Sequence, residues 1–173
     1  MDLDPNERAK KGVFLAFQNI PEIKGLKLFE FLRSIYNARY DENASFIQFK
    51  LIIDPLVEKI GLNRDFLWRD LNVGFSGGER RKVEVLQIML LKPQYIFLDE
   101  IDSGLDVDAF KKVANLLKEL DTFETSFIVI THYFNILEYI NIDEVYVLEE
   151  GKVLKHGGAE IAEQVKNMGF DKL

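Results

Sequence analysis

Two adjacent acids, Asp99 and Glu100, follow a short apolar run, Tyr95-Ile96-Phe97-Leu98. Such a run suits a buried strand and is too short for a helix of ordinary length. A buried strand of a parallel sheet that ends in acids sets negative charge at the rim where ligands of open α/β folds bind. The pair suits one acid that organises Mg²⁺ beside another that polarises a water; two solvated loop acids are the plainer alternative. Gln18 ends a second apolar run, Gly12 to Phe17, and Thr131-His132 ends a third, Ser126 to Ile130. A lone histidine in that place is more often a structural residue than a catalytic one. Ser76-Gly77-Gly78-Glu79 opens a helical pattern. Its glycines let backbone approach a ligand, and a helix N-terminus offers free N–H groups to an anion. The same four residues also read as an S-x-x-E capping box.

The elements that must hold these residues follow from periodicity. Asp4-Pro5 can start a helical turn, with Pro at the first helical position. Gly12–Phe17 is expected as a buried strand, followed by a loop from Asn19 to Gly25. From about Leu26 to Leu90 the pattern is helical: Leu28, Leu32, Ile35 and Tyr36 share a face, as do Phe49, Ile52, Ile53, Leu56 and Ile60, with Gly61 as C-cap. Asp54-Pro55 is expected to kink or break the second of these helices unless Pro55 lies in its first turn. Residues 64–75 are expected as a short helix and a turn, and Glu79–Leu90 as a helix with Val83, Leu86 and Leu90 inward. After the strand at 95–98 and the polar turn Asp102 to Asp106, a helix runs from Asp108 to Leu120. A buried strand follows at 126–130, then a short helix at 134–139. Strands at 144–148 and 152–155 flank Glu149-Glu150-Gly151, a hairpin signal. A last helix spans Ala159–Met168. The order implies an α/β fold with a mostly parallel sheet and a helical insertion.

The 173 residues suit one ordinary domain, with 47% hydrophobic and 29% charged residues, a globular balance. A net charge of −7 disfavours a polyanion-binding surface, so no nucleic-acid partner is expected. The chain has no cysteine, which excludes disulfides and a thiolate-held iron–sulfur cluster on this chain. No run approaches the roughly 18 apolar residues of a membrane span, and the acidic start is unlike a signal peptide. No membrane insertion is expected, and the expected setting is the cytoplasm, or an organelle stroma in a eukaryote.

Taken together, the strand ends at Gln18, Asp99-Glu100 and His132, with Ser76-Gly77-Gly78-Glu79 and Ser103-Gly104-Leu105-Asp106 between them, resemble the ATPase domain of the ATP-binding-cassette (ABC) superfamily. Gln18 matches its Q-loop and Ser76 to Glu79 its signature. Phe97-Leu98-Asp99-Glu100 matches the end of its Walker B strand, Ser103 to Asp106 its D-loop, and His132 its switch histidine. The segments Glu7-Arg8-Ala9, Gly12 to Gln18, Pro21-Glu22-Ile23, Asn72 to Glu79, Asp99 to Asp106, Thr131-His132-Tyr133, Gly157 to Glu160 and Gly169-Phe170-Asp171 are similar to the SufC family, the soluble cassettes of the Suf iron–sulfur assembly system.

That resemblance implies a P-loop NTPase-type ABC fold with a helical subdomain. It divides the chain into a Q-loop strand (1–24), a helical subdomain ending in the signature helix (25–91) and the rest of the ATPase core (92–173). It implies ATP and Mg²⁺, with Glu100 and His132 catalytic, Asp99 and Gln18 at the metal, and Gln18, Ser76, Gly77, Gly78, Glu79 and Asp106 at the nucleotide. The implied partners are a SufB–SufD scaffold and, with ATP, a second copy.

The P-loop G-x-x-x-x-G-K-[ST] that wraps phosphates in this superfamily has no counterpart here. The only Gly-Lys is Gly151-Lys152, followed by Val153. Micromolar ATP binding needs roughly 8 kcal/mol, and a helix N-terminus contributes about 0.3–1 kcal/mol per charge, up to ~2. The signature alone cannot replace the loop, so the chain by itself is expected to be inactive, with its N-terminal lobe incomplete. The superfamily's P-loop strand lies between the strands matching Phe127–Ile130 and Val145–Leu148, so exposed apolar edges and marginal stability are expected. The alternatives are a non-catalytic scaffold-docking module and the ATPase subunit of a transporter.

Overall fold

A computed structural model describes residues 3–101, 105–120, 124–131, 136 and 138–169. The chain divides into two compact units, residues 1–131 and 132–173.

In the first unit, β1 (Val13–Ala16), β4 (Tyr95–Asp99) and β5 (Ser126–Ile130) form a parallel sheet in the order β1-β4-β5. Register places Phe14, Ile96 and Phe127 in one row, and Ala16, Leu98 and Val129 in another. Parallel neighbours in register share a face, so these rows form the inner face, where Ala16, Ile96 and Leu98 are at most 1% exposed. The rows of the outer face contain Leu15, Phe97 and Ile128, and end in Ile130 beside Asp99. Leu15 is 46% exposed and Ile130 52%. Phe127 and Val129 of β5 are only half-buried, so the sheet is covered on this face alone, most fully at Ala16, Ile96 and Leu98, which corrects the expectation of fully buried strands. Continuous apolar runs mean burial on both faces only where both faces are covered.

Helices α1 (Pro5–Lys10), α2 (Leu28–Tyr40), α3 (Phe46–Ile60), α4 (Gly77–Leu91) and α5 (Val107–Leu120) complete this unit, with a 3-10 turn at Arg64–Trp68. Pro55 lies well inside α3, and the helix runs on through it without the break that was one of the two expected outcomes. Its ring removes the N–H that would donate to the Leu51 carbonyl, and a proline in a helix interior costs about 3 kcal/mol. Leu51 and Pro55 are both exposed, so that carbonyl lies on the water-facing side of α3, while Ile53 and Val57 on the other side are fully buried. Gly61 ends α3 in the left-handed region, φ 64°, as its position after Ile60 suggested.

A short antiparallel pair, β2 (Ile23–Lys27) with β3 (Asp70–Leu71), stands where a loop and a turn were expected. Local sequence does not announce it: the pairing residues lie over forty positions apart, and side chains rather than alternation hold it. Asp70 accepts from Gly25 N at 2.9 Å and from Lys27 Nζ at 2.7 Å.

In the second unit, β6 (Val145–Glu149) and β7 (Lys152–Gly157) form an antiparallel hairpin turned through Glu150 and Gly151, both at positive φ. Helix α6 (Ala159–Met168) follows, and its Ile161 and Val165 bury Val147. The expected helix at 134–139 falls largely outside the described residues. Among the described residues no helix is long and apolar enough to cross a membrane.

Candidate functional site

Gln18 follows β1, and Asp99-Glu100 end and follow its parallel neighbour β4, so they reach the same rim of the sheet. There the Gln18 side-chain amide donates to Glu100 Oε2, across 82 residues of chain. Glu100 sits in the left-handed region at φ 47°, a sparsely populated conformation for a non-glycine residue. Its own N–H donates to the Ile130 carbonyl at 2.9 Å, which ties it to the end of β5. Asp99 is half-buried at the end of β4. His132 lies outside the described residues, as do Asp102, Ser103 and Gly104 of the expected polar turn.

Ser76 caps α4. Its hydroxyl accepts from Glu79 N at 3.3 Å, and its own N–H donates to Glu79 Oε2 at 2.7 Å, so the capping box is complete. Gly77 and Gly78 form the first turn. A Cβ on Gly78 would stand 3.2 Å from Ala109 Cβ, so the absence of a side chain lets the start of α4 approach α5 closely. Asp106 starts α5: its carboxylate accepts from Ala109 N at 2.8 Å.

Two residues absent from the expected set join these pieces. Arg81 and Glu84, one turn apart on α4, have side chains only 3% and 4% exposed and meet at 2.6 Å. Arg81 Nη1 also donates to the Phe17 carbonyl at 2.6 Å. Its Nη2 donates to the carbonyls of Gln18 at 3.1 Å and Glu100 at 3.2 Å. Glu84 Oε1 accepts from Phe17 N at 2.9 Å. Burial pushes the Glu84 carboxyl above its usual range, against the opposing pull of Arg81 and the Phe17 N–H. The signal available in sequence was an acid inside the apolar run Val83 to Leu91, where a charge needs a partner.

The loop after Gln18 is held as firmly. Arg80 Nη2 pairs with Glu22 while its Nε donates to the Phe75 carbonyl at 3.0 Å. Asn72 Nδ2 donates to the Pro21 carbonyl at 2.9 Å. Arg69 lies over the rings of Phe66 and Phe75, 4.7 and 5.0 Å from their centres.

This donor set fits one part of a Mg²⁺-nucleotide site. Gln18 gives its amide N–H to Glu100 and keeps a carbonyl oxygen; that oxygen and the Asp99 carboxylate are of the hard type that Mg²⁺ takes alongside phosphates. Among the described residues no group of three or more His, Cys, Asp or Glu side chains could hold a metal by protein ligands alone.

The architecture is that of an ATP-binding cassette. The cassette MJ0796 in its dimeric post-hydrolysis state, bound to ADP and Pi, superimposes with a TM-score of 0.75 at 21% identity, over 91% of this chain and 68% of that one. Among curated proteins, the probable ATP-dependent transporter ycf16 of Cyanophora paradoxa is 43% identical over 177 residues, 100% of this chain and 68% of that protein. The iron–sulfur cluster assembly protein SufC of Plasmodium falciparum is 37% identical over 176 residues, 99% of this chain. The chain spans about two thirds of the length of the first relative and about half, 51%, of the second. No family model matches. The chain belongs to the ABC ATPase family that holds the ycf16 and SufC proteins.

Proposed function

We propose that this chain carries the signature, Walker B, D-loop and switch portion of a Suf-type cassette, whose complete site hydrolyses ATP to drive iron–sulfur assembly on a SufB–SufD scaffold. The observation that carries this reading is the contact between Gln18 and Glu100 at the ends of adjacent parallel strands, joined with the 37% identity to a protein named for iron–sulfur cluster assembly. Mg²⁺-ATP supplies the phosphoryl group and the cation that neutralises its charge. Glu100 polarises the attacking water, and His132 senses the terminal phosphate. Asp99 and Gln18 offer oxygens to the cation. Ser76, Gly77, Gly78 and Glu79 present the start of α4 to nucleotide held by a second copy, with Asp106 beside them. Residues 1–24 and 92–173 serve the ATPase core, and 25–91 form the helical subdomain.

The chain has no G-x-x-x-x-G-K-[ST], so we infer that on its own it neither binds ATP tightly nor turns it over. The helical part supports a second, non-catalytic role as a scaffold-docking module. Ile47 and Leu51 on α3 are 72% and 73% exposed, beside Phe46 at 43% and Trp68 at 45%, an apolar surface of the kind that marks a partner site.

The test is ATP turnover and calorimetric Mg²⁺-ATP binding by the purified chain, in parallel with capture of SufB or SufD. The expected result is no turnover, no micromolar binding and retained capture. Turnover at an ordinary enzymatic rate would refute the inactivity, and failure to capture either scaffold protein would refute the docking role.

A further inference from the structure

Glu100 and Gln18 are joined by their side chains, and a third residue grips their backbone carbonyls. The Arg81 guanidinium reaches three carbonyls from two parts of the chain, those of the adjacent Phe17 and Gln18 and that of Glu100, and pairs with Glu84. Glu84 in turn accepts from the Phe17 N–H. A planar fork with five donors suits such a span, whereas a lysine amine does not. The pair is almost fully shielded from water, so its bonds face little competition from solvent. Arg81 belongs to the second turn of α4, whose first turn carries Gly77 and Gly78.

We propose that Arg81, locked by Glu84, is a positioning residue that couples the start of α4 to the backbone at Gln18 and Glu100, so that a displacement of α4 moves both together. The hydrogen bonds of Arg81 and Glu84 go to the backbone at Phe17, Gln18 and Glu100, beside the Gln18–Glu100 side-chain bond and the bond from Glu100 N to Ile130 O. Both contacts are made by residues whose carbonyls Arg81 grips, those of Gln18 and Glu100. The functional meaning rests on the reading of Gln18 and Glu100 given above; the coupling itself does not.

The test is residue-resolved amide exchange and the Gln18 side-chain amide resonance in the ¹⁵N-labelled chain, without nucleotide, so a failed ATPase reading leaves its result intact. Arg81→Met strands Glu84 and can prevent folding. The double variant Arg81→Met/Glu84→Leu removes both charges and keeps the measurement possible. The expected result in the folded double variant is exchange at the Glu100 amide at least tenfold faster than in the parent. Amides of α2, α3 and α5 should stay within twofold, and the Gln18 side-chain amide should shift to the position of an exposed glutamine. Arg81→Lys should recover the pair with Glu84 without the three-carbonyl span, leaving Glu100 exchange at least threefold above the parent. Parent-like exchange at Glu100 in the double variant, an equal rise in every helix, or full recovery by Arg81→Lys would each overturn the proposal.

Discussion

Arg81 and Glu84 stand one turn apart on α4, with 2.6 Å between Nη1 and Oε2 and 3–4% of either side chain exposed. A buried pair of this kind adds little over a well-packed apolar pair, yet breaking it is costly because one charge remains unpaired. Arg81→Met is expected to lower unfolding free energy by about 3–5 kcal/mol. The double variant Arg81→Met/Glu84→Leu should lose clearly less than the sum of the two single losses. Denaturant titration of the four proteins checks this; additive losses would show that the two side chains act independently.

Two carboxyls should respond to pH with opposite sign. Burial raises Glu84, so the folded chain holds more protons than the unfolded one between the two pKa values. The stability from this group is full below the unfolded carboxyl range and is lost as pH rises through the folded pKa. Asp70 is lowered, first by the Gly25 N–H and then by Lys27; its stability is present above the unfolded range and is lost as pH falls through the folded pKa. Stability of Glu84→Gln relative to the parent should therefore improve from acid toward neutral pH, and that of Asp70→Asn should worsen. Denaturation midpoints at several pH values distinguish these trends.

The two faces of the parallel sheet should tolerate substitution very differently. Leu98 is fully buried, and Leu98→Ala should cost about 2–5 kcal/mol. Ile130 lies on the outer face at 52% exposure. Ile130→Thr should change stability by less than about 1 kcal/mol and reduce self-association of the chain, because an open apolar sheet face is an aggregation surface. Equilibrium melting and light scattering measure the two effects.

Asn72 holds φ 62° while its side chain binds the Pro21 carbonyl. Asn72→Ala gives up that bond and places alanine in a conformation it disfavours, a loss of about 1–3 kcal/mol. Asn72→Gly gives up the bond and relieves the backbone, and should cost less. Equal losses would mean that the left-handed backbone carries no weight there.

The capping box on α4 gives a separate number. Ser76→Ala should cost about 1 kcal/mol through the lost acceptor at Glu79 N, and Ser76→Asp should recover most of it. A loss from both alike would show that the hydroxyl does something other than cap the helix.

Much of the fold was legible in sequence because it is written in short-range periodicity. The helices α2, α3, α4 and α6, the hairpin β6–β7, Gly61 as a C-cap and the capping box at Ser76 all rest on residues within a turn or two of one another. The family pattern was legible for the same reason, being a set of short motifs at strand ends and helix starts. The pair β2–β3 and the continuity of α3 through Pro55 were not. The first depends on Asp70 meeting Gly25 and Lys27 across the chain, and the second on which side of α3 meets water.

By itself, then, the sequence determined the order of strands and helices, the acids after β4, the glutamine after β1, the glycines that open α4, and the absence of a P-loop motif within these residues. Tertiary structure alone decided which side chains meet. It brought Gln18 against Glu100, left one face of the β1-β4-β5 sheet open, and placed an arginine and a glutamate of α4 in a nearly dry interior where they bind three carbonyls and one N–H. Periodicity states which side of an element is apolar, but not what lies against it. A buried ion pair exists only where distant segments supply the hydrogen bonds that make its burial tolerable.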